Sequence, residues 1–99
     1  MNIIKKQDQD KLELILEGRL DVTTSQQLED ELKASLPGIT SLTLNMKGLE
    51  YISSAGLRVL LFAYKTMKVQ GEMKLTNLNE MVMEVMEVTG FADILTIEE

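Results

Sequence analysis

The stretch Leu49-Glu50-Tyr51-Ile52-Ser53-Ser54-Ala55-Gly56-Leu57 lies near the middle of the chain and decides the fold. An alternating apolar run, Leu42, Leu44 and Met46, leads into it. A run of helical period, Leu57, Leu60, Leu61 and Tyr64, leads out. Alternation marks a half-buried strand and the 3.6-residue period an amphipathic helix, so adjacent hydroxyls stand where a strand hands over to a helix. The first N–H groups of a helix have no partner inside it, and its dipole is positive at that end. Such a corner suits an anion, and a phosphate on Ser53 or Ser54 would be electrostatically at home there. The plainer role is the more usual one, because serine is a favoured N-cap and most helix-start serines do nothing else. Adjacent serines allow both at once, one capping and the other free, with small Ala55 and Gly56 leaving the corner accessible.

Outward from this turn the chain divides cleanly. Residues 2–6 read as a short edge strand and 7–10 as a turn. Residues 11–17 alternate, with Leu12, Leu14 and Leu16 on one side, Glu13 and Glu17 on the other and Ile15 the exception. The pair predicts a hairpin. Gly18-Arg19-Leu20-Asp21 closes it. Thr23 and Thr24 each have a glutamine three residues on, Gln26 and Gln27, which is capping-box spacing. Leu28, Leu32 and Leu36 then predict a helix over 25–35, stopped by Pro37-Gly38. After the strand 41–46 and the serine turn, a second helix is expected over 54–69. A short strand with Met73 and Leu75 inward follows. A third helix is capped by Asn79, with Met81, Val82, Val85 and Met86 inward and Glu80, Glu84 and Glu87 outward. Ile94, Leu95 and Ile97 form a last strand. The order is β-β-α-β-α-β-α-β. Strand–helix–strand alternation demands parallel neighbours with right-handed crossovers. The expected fold is α/β, with a mixed β-sheet, helices mainly on one face and the hairpin at an edge.

Composition narrows the chemistry. The chain has 99 residues, 44% hydrophobic and 26% charged, the make-up of one soluble globular domain over 1–99. It has no cysteine and no histidine, which removes disulfides, thiolate metal sites, the Ser-His-Asp triad and most zinc sites. The formal charge of −6 disfavours nucleic acid and anionic membrane surfaces as partners. The N-terminus lacks the apolar core of a signal peptide, and no apolar run approaches the roughly 18 residues that span a bilayer. A cytoplasmic protein is expected.

Phosphate-loop glycine motifs are missing, and the serines sit in no G-x-S-x-G elbow. An S-x-x-K arrangement fails because Leu57 stands three residues after Ser54. The carboxylates fall on helix faces, where solvated charge is their ordinary role. No catalytic residue, cofactor or metal is therefore expected. The second helix carries a second apolar stripe, Ala55, Val59 and Phe62. It serves either packing on a neighbouring helix or, left exposed beside the serines, a protein-binding face. Met81, Met83 and Met86 read as core filler, with a flexible contact surface as the alternative.

At Tyr51-Ile52-Ser53-Ser54-Ala55-Gly56-Leu57 the chain resembles the STAS-domain anti-sigma factor antagonists, whose typical member reads as an apolar pair followed by Asp-Ser-Ser/Ala-Gly-Leu opening a helix. Gly18-Arg19-Leu20-Asp21 and Gly71-Glu72-Met73-Lys74-Leu75 are further matches. The resemblance covers essentially the whole chain as a single STAS-like domain. It implies partner switching: the unphosphorylated protein binds an anti-sigma factor that is also a serine kinase, a sigma factor is released, and a serine phosphatase resets the phosphorylated form. Gly56-Leu57 fix the register and put the phosphoacceptor on Ser54, with Ser53 as second choice. The implied partner-binding residues are Asp21, Ser53, Ser54, Ala55, Gly56, Arg58, Val59 and Phe62. One departure stands out: Ser53 occupies the position where the family usually has aspartate. A STAS scaffold that binds protein without being phosphorylated is the alternative. A transporter tail fits less well, since the chain begins at a methionine and shows no membrane segment. An enzyme acting through Ser54 comes third.

Overall fold

A computed structural model describes residues 1–98. The elements are β1 (Asn2–Asp8), β2 (Lys11–Leu20), α1 (Ser25–Ser35), β3 (Ser41–Ile52), α2 (Ser54–Gln70), β4 (Glu72–Thr76), α3 (Glu80–Thr89), a 3-10 turn (Phe91–Asp93) and β5 (Thr96–Glu98). They form a five-stranded sheet in the order β1-β2-β3-β4-β5. β1 pairs antiparallel with β2, while β2, β3, β4 and β5 run parallel. The expected order of elements and the mixed sheet are both present. Each crossover steps one strand in the same direction, and right-handed crossovers of that kind place every helix on the same face. Leu12, Leu14, Leu16, Leu42, Leu44, Met46, Met73 and Leu75 are buried beneath the helices. Glu13, Ile15, Thr43, Asn45, Lys74 and Thr76 line the opposite face, which no helix covers. Ile15, the exception to the alternation in β2, thus belongs to the open face.

The hairpin turns more tightly than expected. Strand pairing continues to Asp8↔Lys11, and Gln9 takes a left-handed conformation, φ 56°, to close it. At the far end of α2 the backbone touches its neighbour. A Cβ on Gly71 would lie 2.0 Å from the Thr40 carbonyl oxygen, and only glycine fits there.

β3 differs most from its expected length. It does not stop at Met46 but runs on to Ile52 beside β2. The register moves from Ile15↔Asn45 to Glu17↔Gly48, and again from Gly18↔Leu49 to Arg19↔Tyr51. At each step β3 holds one residue more than β2, which makes two β-bulges. Each bulge resets the inward side, so the buried positions pass from Leu42, Leu44, Met46 to Leu49 and then Ile52. A strand whose inward residues are spaced by three does not look like a strand by alternation.

Four smaller expectations are corrected. Thr24 stands at the N-cap of α1 but makes no side-chain capping bond; its hydroxyl donates to the Arg19 carbonyl at 2.7 Å and accepts from the Asp21 amide at 2.9 Å. On α2, Leu61 and Tyr64 are only half-buried, and Ala63 and Met67 complete the inward stripe instead. On α3, Val82 and Met86 are buried, Val85 is half-buried and Met81 is 53% exposed, so the methionines there are core filler only in part. Ile94 precedes the last strand and is exposed, while Leu95 is buried.

Candidate functional site: the serine turn

The Ser53 amide donates to the Leu20 carbonyl at 2.9 Å, pinning the turn to the end of β2. Ser53 is extended, φ −101° and ψ 176°, and is the N-cap of α2. Its Oγ accepts from the Gly56 amide at 3.4 Å, and its carbonyl accepts from the Leu57 amide at 3.0 Å. Ser54 is the first helical residue, is exposed, and takes no part in that cap. One serine holds the helix and the other faces solvent, so the two roles the sequence left open are divided between them. Gly56 is buried against the ends of both strands. A Cβ there would lie 2.7 Å from Leu20 Cγ and 3.0 Å from the Leu20 carbonyl oxygen. The glycine is what lets α2 start so close to the sheet.

Since Ser53 bonds to Leu20, the next residue of β2's loop, Asp21, belongs to the same corner. Its Oδ1 accepts from the Thr23 hydroxyl at 2.7 Å and the Thr23 amide at 3.0 Å. These bonds favour the carboxylate and hold its pKa below the usual carboxylate value. Its Oδ2 faces Arg19 Nε at 3.6 Å, and the Arg19 guanidinium lies 4.3 Å from the centre of the Tyr51 ring. Asp21 was among the expected partner-binding residues, but Arg19 and Tyr51, which complete this chain, were not. Only the bulged register, which sets Arg19 opposite Tyr51, brings them together. Val22, 77% exposed, follows Asp21 on the same loop. On the other side, Asn79 caps α3 by accepting from the Val82 amide at 2.8 Å and donates to the Leu49 carbonyl at 3.0 Å. α3 is thereby anchored to the extension of β3.

The other expected partner-binding residues separate by burial. Arg58 is exposed one turn beyond Ser54, and Ala55 is half-buried. Gly56 and Val59 are buried, Val59 with 5% exposure. Phe62 is half-buried over α1, with Lys33 Nζ 5.8 Å from its ring. Val59 and Phe62 of the second stripe therefore serve helix packing, and the accessible part of the corner is Asp21, Val22, Ser54, Ala55 and Arg58. Charge is segregated around it. α2 carries Arg58, Lys65 and Lys68 and no carboxylate, whereas α3 carries Glu80, Glu84 and Glu87 and no cation. A concavity of about 930 Å³ lies elsewhere, on the open sheet face among Lys11, Glu13, Thr43, Asn45 and Lys74. Among the described residues no helix is long and apolar enough to cross a membrane.

A mixed α/β sheet with helices on one face and a serine-capped turn at the end of its central strand is the architecture of a STAS domain, and the STAS domain family model matches residues 2–99. BtrV of Bordetella bronchiseptica, named as an anti-sigma factor antagonist, is 42% identical over 84 residues, spanning 83% of this chain and 72% of that protein. The anti-sigma-B factor antagonist of Bacillus subtilis is 30% identical over 98 residues, spanning 98% of this chain and 90% of that protein. The fold is shared with the Bacillus cell fate determinant SpoIIAA, an anti-sigma factor antagonist. Its unphosphorylated form gives a TM-score of 0.78 and its phosphorylated form 0.76, both at 17% identity, over 99% of this chain and 88% and 92% of theirs. The chain belongs to the STAS-domain anti-sigma factor antagonist family.

Proposed function

We propose that the protein is an anti-sigma factor antagonist whose serine turn docks on an anti-sigma factor with serine-kinase activity, releasing a sigma factor, and that phosphorylation of Ser54 ends the complex. The observation that carries the reading is the division of labour in the turn: Ser53 is engaged as the cap and Ser54 is exposed at the first helical position. In the transfer, Ser54 Oγ bonds to the γ-phosphorus of ATP, the bond from that phosphorus to the β,γ-bridging oxygen breaks, ADP leaves, and the hydroxyl proton is lost. The product carries about −1.5 to −2 charges. A phosphate at a helix N-terminus favours the fold, so the modification acts on the interface and leaves the domain intact. That SpoIIAA, of the same fold, has been solved in both forms supports this. A sigma factor as the released partner places the activity in the cytoplasm, and a serine phosphatase would restore the binding form.

Ser53 in place of the family's usual aspartate fits the same reading. The position is the N-cap, where serine and aspartate serve about equally well. The helix start survives the exchange, and only the negative charge beside the acceptor is lost.

The decisive experiment adds Mg-ATP to the protein copurified with its partner and locates phosphate by fragment mass spectrometry. Phosphate on Ser54, appearing as the complex dissociates, is the expected result. Ser54→Asp should lose the partner, and Ser54→Ala should hold it in the presence of ATP. If both variants bound as the wild type does, the switch reading would fall. Phosphate on Ser53 would move the acceptor, and a stable complex without phosphate would favour a scaffold.

A further inference from the structure

Ser54 and Arg58 occupy positions i and i+4 of α2, and both are exposed. Residues so spaced are neighbours on a helix surface, with Cβ atoms about 5–6 Å apart. Helical side chains lean towards the N-terminus, so the long arm of Arg58 reaches back over the turn that holds Ser54. Nothing on the same helix competes for it, because α2 contains no carboxylate. Among the described residues the ion pairs are Arg19–Asp21, Lys33–Glu29 and Lys74–Glu98, and Arg58 is in none of them.

We infer that Arg58 is the intramolecular receiver of a phosphate on Ser54. A guanidinium presents a planar fork of N–H donors that matches two phosphate oxygens. The assignment rests on the proposed modification of Ser54 and adds how the switch is thrown. In the unphosphorylated protein the guanidinium is free to meet an acidic group of a partner. After phosphorylation it turns onto its own phosphate. The docking surface then gains a dianion and loses its nearest cation in the same event, so binding is opposed from two sides. Arg58 also holds the phosphate against the first turn of α2.

The test needs no partner and no kinase. Phosphoserine is placed at position 54 of the full chain by genetic encoding, and its second ionisation is followed by phosphorus NMR. The other charges near the corner are the Arg19–Asp21 pair on the β2 side, Glu50 in the bulge and Glu80 at the start of α3. They are the same in every variant, as is the helix dipole, so differences report the side chain that was changed. The expected result is a second pKa lower in the parent than in Arg58→Gln by about 0.3 unit or more, with Arg58→Lys retaining part of the shift. Lys65→Gln removes one charge from the same helix about 16 Å from Ser54 along its axis and should move the value by less than about 0.1 unit. Equal titration of the parent and Arg58→Gln would overturn the assignment. So would an equal shift in Lys65→Gln, which would reduce the effect to the general field of the helix. Arg58 is exposed, so Arg58→Gln is expected to fold, and its amide spectrum checks this. If the natural kinase never modifies Ser54, the switch reading fails while this titration still reports on the pair. If the kinase modifies Ser54 and the titration does not move, Arg58 alone is misassigned.

Discussion

Asp21 shows how single hydrogen bonds set the chemistry of the corner. Its carboxylate is held below the usual carboxylate pKa, first by the Thr23 hydroxyl and amide. A lowered native pKa means the ionised form is favoured by folding. The stabilisation is therefore present above the unfolded pKa of about 3.9 and is lost as pH falls through the lower native value. The Thr23 amide resonance should move with a midpoint below that of an unstructured aspartate, and Asp21→Asn should abolish the movement. A midpoint at or above the unstructured value would show that Thr23 does not hold the carboxylate. At this scale the sequence was legible where spacing alone decides. The helix start at the adjacent serines is such a place: Ser53 is the N-cap and Ser54 the first helical residue. The sequence was not legible where a hydroxyl chooses between local and tertiary partners. Thr24 has capping-box spacing, yet its hydroxyl is taken by the Arg19 carbonyl and the Asp21 amide. The Arg19–Tyr51 stack was invisible for a related reason: their contact depends on how β2 and β3 are registered.

Among the elements, the junction of β3 and α2 does most to position Ser54. Gly56→Ala would gain about 0.5–1 kcal/mol in helix propensity. It would also push a methyl to within 2.7 Å of Leu20 Cγ and 3.0 Å of the Leu20 carbonyl oxygen, an overpacking that costs about 1–3 kcal/mol. Net destabilisation is expected, read as a lower urea midpoint with unchanged slope. An unchanged or raised midpoint would mean that α2 can move away from the sheet at no cost. α1 and α3 were readable to the residue or nearly so, because a 3.6-residue period bounded by caps, proline and glycine leaves little choice. β3 was cut short because its two bulges replace the spacing of two by a spacing of three at Met46, Leu49 and Ile52. The second stripe of α2 could not be assigned from the chain alone. That α1 lies against it is a consequence of the sheet order, which no window of sequence contains.

For the molecule as a whole, the central strand carries the core. Leu44 has no exposed surface and sits in β3, between β2 and β4. Leu44→Ala should cost about 2–5 kcal/mol, a large part of the roughly 5–15 kcal/mol that stabilises a domain. A fall in Tm of about 10 °C or more is expected by calorimetry. A fall of only a degree or two would mean the helices collapse into the space. The order of strands in the sheet repeats their order in the chain, and this bears on how the molecule is made. As the polypeptide leaves the ribosome, every strand after the first finds its neighbour already synthesised, and none waits for a partner still to come. The sheet grows from a single advancing border, each helix sealing one side as it goes. At the border of the described sheet, β5 has three residues, too few to template another strand well.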